Sequence, residues 1–179
     1  MKKIFYLFAG VNGAGKSTLY NLAMINQNIK NTIRINTDEI VREIGDWKNN
    51  SDQLKAAKIA INLRNECFLY GKSFNEETTL TGKTILKTID RAKELGYELQ
   101  LFYVGVNSPE IAKERIKSRV KKGGHHIEND VVEKRYYESL KNLKEINQLI
   151  ENSNKDNSTL INILDIIQNK NKEIIENDL

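Results

Sequence analysis

The sequence predicts an α/β fold in which a mainly parallel, doubly wound sheet of about five strands carries helices on both faces. Apolar stretches of strand length alternate along the chain with longer stretches of helical spacing. A glycine-rich loop follows the first of these strands and precedes the first helix. Because no internal repeat or long linker interrupts the alternation, we predict one domain over residues 1–179.

Short apolar or β-branched stretches predict the strands. The stretch 97–106 is the clearest because aromatic and branched residues dominate it, whereas 73–77 is short and polar. In chain order, the predicted strands are residues 3–9, 32–35, 73–77, 97–106 and 159–164.

Longer stretches bounded by capping residues predict the helices. One of them has Asn50 or Ser51 available as its N-cap and stops at Gly71. Another opens with Ser108 as its N-cap and Pro109 in its first position. The predicted helices are residues 18–24, 39–44, 51–70, 83–95, 109–121 and 130–150, with a helical lid segment at about 121–130 and a tail at 168–179 that fits either a helix or a frayed end.

The composition suits a globular protein. No run of about 18 apolar residues is present, so neither a signal peptide nor a membrane helix is predicted, and we expect a cytoplasmic protein with no membrane partner. A net charge of +4 and a pI near 9.0 fit nucleic acid and anionic phosphate substrates equally well. The single cysteine, Cys67, excludes an internal disulfide and is predicted to lie in the core.

The glycine-rich loop fits the pattern G-x-x-x-x-G-K-[ST] at every fixed position, from Gly10 to Ser17. A loop between a buried strand and a helix points its backbone N–H groups outward, where the helix dipole favours an anion. Lys16 is predicted to reach the β- and γ-phosphates of a nucleotide, and the Ser17 hydroxyl to ligate Mg²⁺. The predicted nucleotide-binding residues are Gly10, Asn12, Gly13, Ala14, Gly15, Lys16, Ser17 and Thr18.

Acidic residues follow the second and third predicted strands, where they should meet the loop at one edge of the sheet. Asp38 follows the second strand, and an acid there can orient a hydroxyl group, take its proton or hold Mg²⁺ through water. Alternatively, Asp38 caps the short helix that follows, although Asn36 or Thr37 could also cap it. Glu76 and Glu77 close the third strand and should point to opposite faces, so that at most one faces the site.

The strand 97–106 ends without an acid, in Gly105, Val106 and Asn107. ATP-driven motors and GTPases usually need an acid after such a strand. Its absence, with acids after the earlier strands, favours a kinase for a small substrate.

Basic residues cluster before and after the predicted lid. Arg115 and Arg119 are spaced to share one helix face, and Lys122 extends it. Arg135 begins the other side of the lid segment. Phosphoryl transfer needs cations over the developing charge, and a mobile lid segment could deliver them. The alternative is an ordinary solvated basic face.

Several stretches carry a family resemblance. They are residues 8–18 (FAGVNGAGKST), 36–40 (NTDEI), 73–74 (SF), 77–82 (ETTLTG), 123–125 (GGH), 135–136 (RY), 139–140 (SL), 142–143 (NL) and 152–153 (NS). In order and spacing, this set resembles the zeta-toxin-like family of small P-loop kinases over about residues 4–153.

The resemblance implies a P-loop kinase-type fold that uses ATP and Mg²⁺. In zeta toxins proper, the acceptor is a UDP-activated amino sugar, UDP-N-acetylglucosamine, which is phosphorylated on its sugar. A small-molecule acceptor is therefore expected, with an antitoxin protein as a candidate partner. The implied catalytic residues are Lys16, Asp38 (as the base), Arg115 and Arg119, and the implied acceptor-binding residues are Asp38, Glu77, Thr79 and Arg135.

Two other classes of function remain open. A nucleotide or polynucleotide kinase agrees with the basic pI, but no interleaved basic and aromatic stripe is present to hold a nucleic-acid strand. A non-catalytic or regulatory ATP-binding module is disfavoured, because such a module needs no base at Asp38 beside Lys16.

Overall fold

The computed structural model describes residues 2–25, 27–152 and 159–164, with side chains as far as residue 146. Five strands and seven helices lie within these ranges. In chain order they are β1 (Ile4–Ala9), α1 (Lys16–Ala23), α2 (Gln27–Lys30), β2 (Ile33–Ile35), α3 (Thr37–Ile44), α4 (Asn50–Tyr70), β3 (Phe74–Thr78), α5 (Lys83–Glu94), β4 (Glu98–Val104), α6 (Pro109–Lys121), α7 (Asn129–Asn152) and β5 (Thr159–Leu164). The tail 168–179 and Ser153 lie outside the described residues.

The strands form one parallel sheet in the order β2-β3-β1-β4-β5. Side chains of β1 alternate between two apolar clusters, with Phe5 and Leu7 in one and Tyr6 and Phe8 in the other. Because each cluster also contains residues of helices, both faces of the sheet are covered, as parallel sheets require. The predicted α/β class with a parallel sheet of about five strands is confirmed.

Element boundaries differ from the prediction in a few places. β4 is shorter than the predicted strand 97–106, because Tyr97 donates its backbone N–H to Ala92 O (2.9 Å) and so closes the end of α5. The short helix α2 was not predicted, because its four residues bury only Ile29 and show no periodicity. Cys67 is buried as predicted, and burial raises the pKa of its thiol to about 11.

The cap predicted for α4 is wrong, and one of the three candidate caps of α3 is confirmed. The side chain of Asn49 caps α4 by accepting from Ser51 N (2.9 Å), so neither Asn50 nor Ser51 is the N-cap. Asn36 caps α3, so the interpretation of Asp38 as the cap is wrong. α4 stops at Gly71 as predicted, in the left-handed conformation. None of the helices in the described part of the chain is long and apolar enough to cross a membrane.

Candidate active site

The glycine-rich loop between β1 and α1 is fixed by close packing beneath it. Gly10 and Gly13 have positive φ angles of 142° and 81°. A Cβ atom on Gly10 would lie 2.3 Å from Val104 O, and one on Gly13 would lie 2.7 Å from Ala112 O. Larger residues are therefore excluded at both positions. The C-terminal end of β4 and the first turn of α6 determine where the loop runs.

Lys16 is the first residue of α1 and is only 8% exposed. Its Nζ donates a hydrogen bond to Val11 O (3.2 Å) within the loop. Burial lowers the pKa of Lys16, whereas the charges of Glu77 and Asp38 raise it. Gly15, at the N-cap, offers no side-chain acceptor to the first N–H groups of α1. This helix start can therefore bind an anion.

Glu77 is the predicted acid that faces the loop. The Ser17 hydroxyl donates to its carboxylate oxygens at 3.0 and 3.3 Å. Glu76 points to the other face of the sheet, where its carboxylate accepts from Arg64 of α4 at 2.5 and 2.9 Å. The expectation that only one of these two acids faces the site is thus met.

Asp38 lies in the first turn of α3 with an exposed side chain. The helix is capped instead by Asn36 Oδ1, which accepts from the backbone N–H groups of Asp38 (2.9 Å) and Glu39 (3.3 Å). The Asp38 carboxylate therefore takes no part in the cap. It borders the same cavity as Ser17.

The predicted arginines contact the glycine-rich loop or the lid segment. Arg115 Nη1 donates to Ala14 O (3.1 Å), and Arg135 Nη1 donates to Asn12 Oδ1 (2.8 Å). Arg119 Nη2 donates to His125 O (2.9 Å), while its buried Nε has no hydrogen-bond partner among the described residues. The structure thus brings all three predicted arginines to the loop or to the lid segment.

A cavity of about 1380 Å³ opens between these elements. Its lid side and its α3–α4 side meet where the rings of His125 and Trp47 lie 5.4 Å apart at 47°. Burial and then the charge of Arg119 lower the pKa of His125, which favours its neutral form. The walls comprise Asn12, Ser17, residues 36–38, Val41, Arg42, Trp47, Lys48, Asn50, Gln53, Leu54, Ala57, Arg119, residues 122–127 and Arg135.

Thr79 is not among the residues that line this cavity. Its hydroxyl is hydrogen-bonded to that of Thr81 (2.8 Å) in the loop after β3. That loop places Leu80 at a φ of 59°, and Asn142 Nδ2 holds it by donating to Leu80 O (3.0 Å) and Gly82 O (3.1 Å).

Arg34 and a second role of Asn36 were not predicted from the sequence. Both donate to Glu77 Oε2, at 2.9 and 3.1 Å respectively. The only available signal was their spacing. Arg34 and Asn36 are two residues apart at the end of the second strand, beside the predicted site. Within the described residues, no group of three or more His, Cys, Asp or Glu side chains is placed to hold a metal ion.

A parallel sheet with this loop at the end of its central strand defines a P-loop protein of the kinase type. The profile of the zeta toxin family matches residues 1–179, and the chain belongs to that family. A Haemophilus influenzae protein described as uncharacterised is 38% identical over 135 residues, which are 75% of this chain and 92% of that protein.

Solved structures share the fold at low sequence identity. A chain of the Pnkp1/Rnl/Hen1 RNA repair complex matches 80% of this chain with a TM-score of 0.62 and 15% identity, and this chain spans 46% of its length. A chain from the PezAT toxin–antitoxin system of Streptococcus pneumoniae matches 83% of this chain with a TM-score of 0.60 and 21% identity, and 65% of it is covered. A Chloroflexus aurantiacus protein, described as a proposed kinase, matches 75% of this chain and 80% of its own, with a TM-score of 0.56 and 15% identity.

Proposed function

We propose that this protein is a kinase that uses ATP and Mg²⁺ to phosphorylate a hydroxyl group of a small-molecule acceptor, as a single domain in the cytoplasm. The observation that carries the proposal is the convergence of three groups on one cavity: Ser17 from the P-loop, Asp38 from α3 and Arg119 from α6. A hydroxyl suited to Mg²⁺, an exposed carboxylate and a cation are the parts that phosphoryl transfer needs.

The P-loop would bind the phosphates of ATP. Its backbone N–H groups and the start of α1 suit an anion, and Lys16 rests on Val11 O until a phosphate oxygen replaces that carbonyl. A phosphate would also favour the charged form of Lys16, whose pKa burial lowers.

Ser17 and Glu77 together fit Mg²⁺. Mg²⁺ prefers oxygen ligands and is usually bound by one or two protein groups, with waters and substrate phosphates supplying the rest. Ser17 would ligate the ion directly, and Glu77, whose carboxylate already lies 3.0 Å from the Ser17 hydroxyl, would accept from a water of its shell. When bound, the ion neutralises charge on the phosphates.

Asp38 would act as the base. Its carboxylate would take the proton of the acceptor hydroxyl, while that oxygen forms a bond to the γ-phosphorus and the bond from the γ-phosphorus to the ADP oxygen breaks. Arg115, Arg119 and Arg135 would stabilise the charge that develops on the transferred group. Arg119 has the clearest capacity for this role, because its buried Nε has no partner among the described residues.

For the acceptor, we propose a UDP-activated amino sugar such as UDP-N-acetylglucosamine. Membership of the zeta toxin family supports this choice. The cavity walls also carry Arg42, Lys48 and Lys122, which suit a diphosphate. Glu77, Thr79 and Arg135 remain the proposed acceptor-binding residues beside Asp38, although Thr79 would first have to exchange its bond with Thr81 for the ligand. The PezAT similarity supports an antitoxin protein as partner.

A nucleotide or polynucleotide kinase is the second candidate. Trp47 offers an aromatic ring in the cavity wall beside Lys48, a combination that can hold a base and its phosphate. The same walls would serve a sugar nucleotide, so the two candidates share these walls and differ in the acceptor molecule and in the hydroxyl group that is phosphorylated.

The decisive experiment transfers labelled γ-phosphate from ATP to a panel of UDP-sugars, nucleosides and RNA 5′ ends. We expect a labelled UDP-sugar with the wild-type protein and none with Lys16→Ala. Label on nucleosides or RNA ends alone would establish the second candidate. ATP binding without transfer to any acceptor class would instead indicate a binding module and contradict the proposal.

A further inference from the structure

Arg34 stands at the centre of a partly buried polar network beside the P-loop. It lies on the edge strand β2, and its side chain is only 16% exposed. Its Nε and Nη2 donate to the two oxygens of Glu39 at 3.2 and 2.9 Å, and Nη2 also donates to Glu77 Oε2 at 2.9 Å. Its Nη1 donates to Asn75 Oδ1 at 3.1 Å. The guanidinium group lies 3.4 Å from the ring centroid of Tyr20.

These contacts determine which way the Glu77 carboxylate points. Arg34 and Asn36 both hold Oε2, at 2.9 and 3.1 Å. The other oxygen, Oε1, accepts the shorter hydrogen bond from the Ser17 hydroxyl, at 3.0 Å. The orientation of Glu77 is therefore imposed from β2, on the side of β3 away from the P-loop strand.

Arg34 also compensates charge. The carboxylates of Glu39 and Glu77 meet at the same Nη2 atom and at the same amide group of Asn36. Without a cation, two carboxylates in such proximity repel each other. Burial opposes the positive charge of Arg34, but its bonds to these two acids outweigh burial and raise its pKa.

The Tyr20 ring connects this network to α1. Tyr20 lies one turn after Lys16 and Ser17 on that helix, and the guanidinium carbon of Arg34 lies over its ring. The Arg34 side chain thus contacts both Glu77 on β3 and Tyr20 on α1, the helix that carries Ser17.

We infer that Arg34 is a positioning residue of the phosphotransfer site, which holds Glu77 in register with Ser17 and so sets the affinity of the site for Mg²⁺. This inference rests on the proposed function, because it assumes that Ser17 and Glu77 serve the metal. Arg34 itself does not reach the cavity walls. Partners of this kind typically change metal affinity by about 10- to 100-fold when they are removed.

The chain provides a matched control, an arginine that pairs with the other glutamate of β3. Arg64 makes a bidentate pair with Glu76, the residue before Glu77, and its side chain is 15% exposed, against 16% for Arg34. This pair lies on the opposite face of the sheet, and none of its described hydrogen bonds reaches Ser17 or Glu77. Removing Arg64 therefore costs a comparable buried ion pair without touching the proposed metal groups.

The test measures binding of a fluorescent ATP analogue while MgCl₂ is titrated, with a parallel measurement in EDTA. For Arg34→Met, we expect the Mg²⁺ midpoint to rise about 10- to 100-fold, with a change below about twofold in EDTA. Arg64→Met should leave the midpoint within about twofold of wild type. Arg34→Lys should recover part of the loss, because it restores the charge but not the planar fork. Arg34→Lys also tests the inference if Arg34→Met fails to fold.

A double-mutant cycle separates positioning from a general loss of stability. If Arg34 acts through Glu77, Arg34→Met with Glu77→Gln should have the same Mg²⁺ midpoint as Glu77→Gln alone. Additive effects, or equal midpoints for Arg34→Met and Arg64→Met, would overturn the inference and leave the proposed function intact. Wild-type ATP binding that is indifferent to Mg²⁺ would overturn the metal assignment of the proposed function, and this inference with it.

Discussion

The two halves of the candidate site are built in different ways. The phosphate half consists of the P-loop (residues 10–17) and Glu77, and it is held by buried contacts: Lys16 is 8% exposed, and Gly13 packs on the backbone of α6. The acceptor half consists of α3, the start of α4 and the lid segment, and Asp38, Arg42 and Lys48 are exposed there. A buried, closely packed half suits a ligand common to many kinases, whereas an exposed half can differ between acceptors.

The largest effect is expected in the acceptor half. Asp38→Asn keeps the shape of the side chain but removes its charge and basicity, so phosphate transfer should fall by about 10²- to 10⁴-fold. ATP binding should survive, since the P-loop is unchanged. Transfer kinetics and nucleotide binding, measured on the same preparation, give the two values.

The cap is tested at Asn36, because Asp and Asn cap helices about equally well and Asp38→Asn should leave the thermal midpoint nearly unchanged in either case. Asn36→Ala should lower stability by about 1 kcal/mol through the lost cap. Near-normal transfer by Asp38→Asn to the true acceptor would remove Asp38 as the base.

A smaller effect is expected at the boundary between the halves. Arg119→Ala should reduce turnover by roughly 10²-fold and ATP affinity much less, because the arginine is needed most as charge spreads in the transition state. Lys121→Ala is the control, since this exposed lysine on the same helix does not line the cavity. Equal losses in turnover and ATP binding for Arg119→Ala would assign Arg119 to the phosphate half.

In the phosphate half, Lys16→Ala should lower ATP affinity or turnover by at least about tenfold without unfolding the protein. The substitution removes a buried charge whose pKa burial already lowers, so no loss of stability is expected. Isothermal titration with ATP and a thermal melt provide the measurements. Unchanged binding and turnover in a folded variant would contradict the kinase proposal.

The two halves also differ in how far the sequence predicts them. The P-loop is a local motif, and strand–loop–helix patterning is sufficient to place it. The side-chain network around Glu77 depends instead on the register of β2 and β3, in which Arg34 pairs with Asn75. No local pattern encodes that register, and so Arg34 was missed.

The cap of α3 was left open between three residues for a different reason. Asn36, Thr37 and Asp38 are consecutive capping residues, and sequence preference alone cannot rank them. The extended backbone of Asn36 (φ −140°, ψ 111°) decides which residue is the cap, and it follows from where β2 ends.

The contact between Trp47 and His125 joins two loops that are far apart in sequence, so it too is visible only in the structure.

The smallest expected effect is a change in order at the lid segment. Trp47 is the only tryptophan in the sequence, so its fluorescence reports on its contact with His125 directly. An ATP analogue with Mg²⁺ should shift the emission and slow hydrogen exchange over the lid segment, because Arg119 and Arg135 would then bind phosphate. In His125→Ala, the emission shift should shrink while ATP affinity stays within about threefold, since Arg119 donates to the backbone carbonyl of His125, which alanine keeps. Exchange in the lid segment that is equally slow with and without the analogue would show that the acceptor half is as rigid as the phosphate half, and the distinction between them would then rest on chemistry alone.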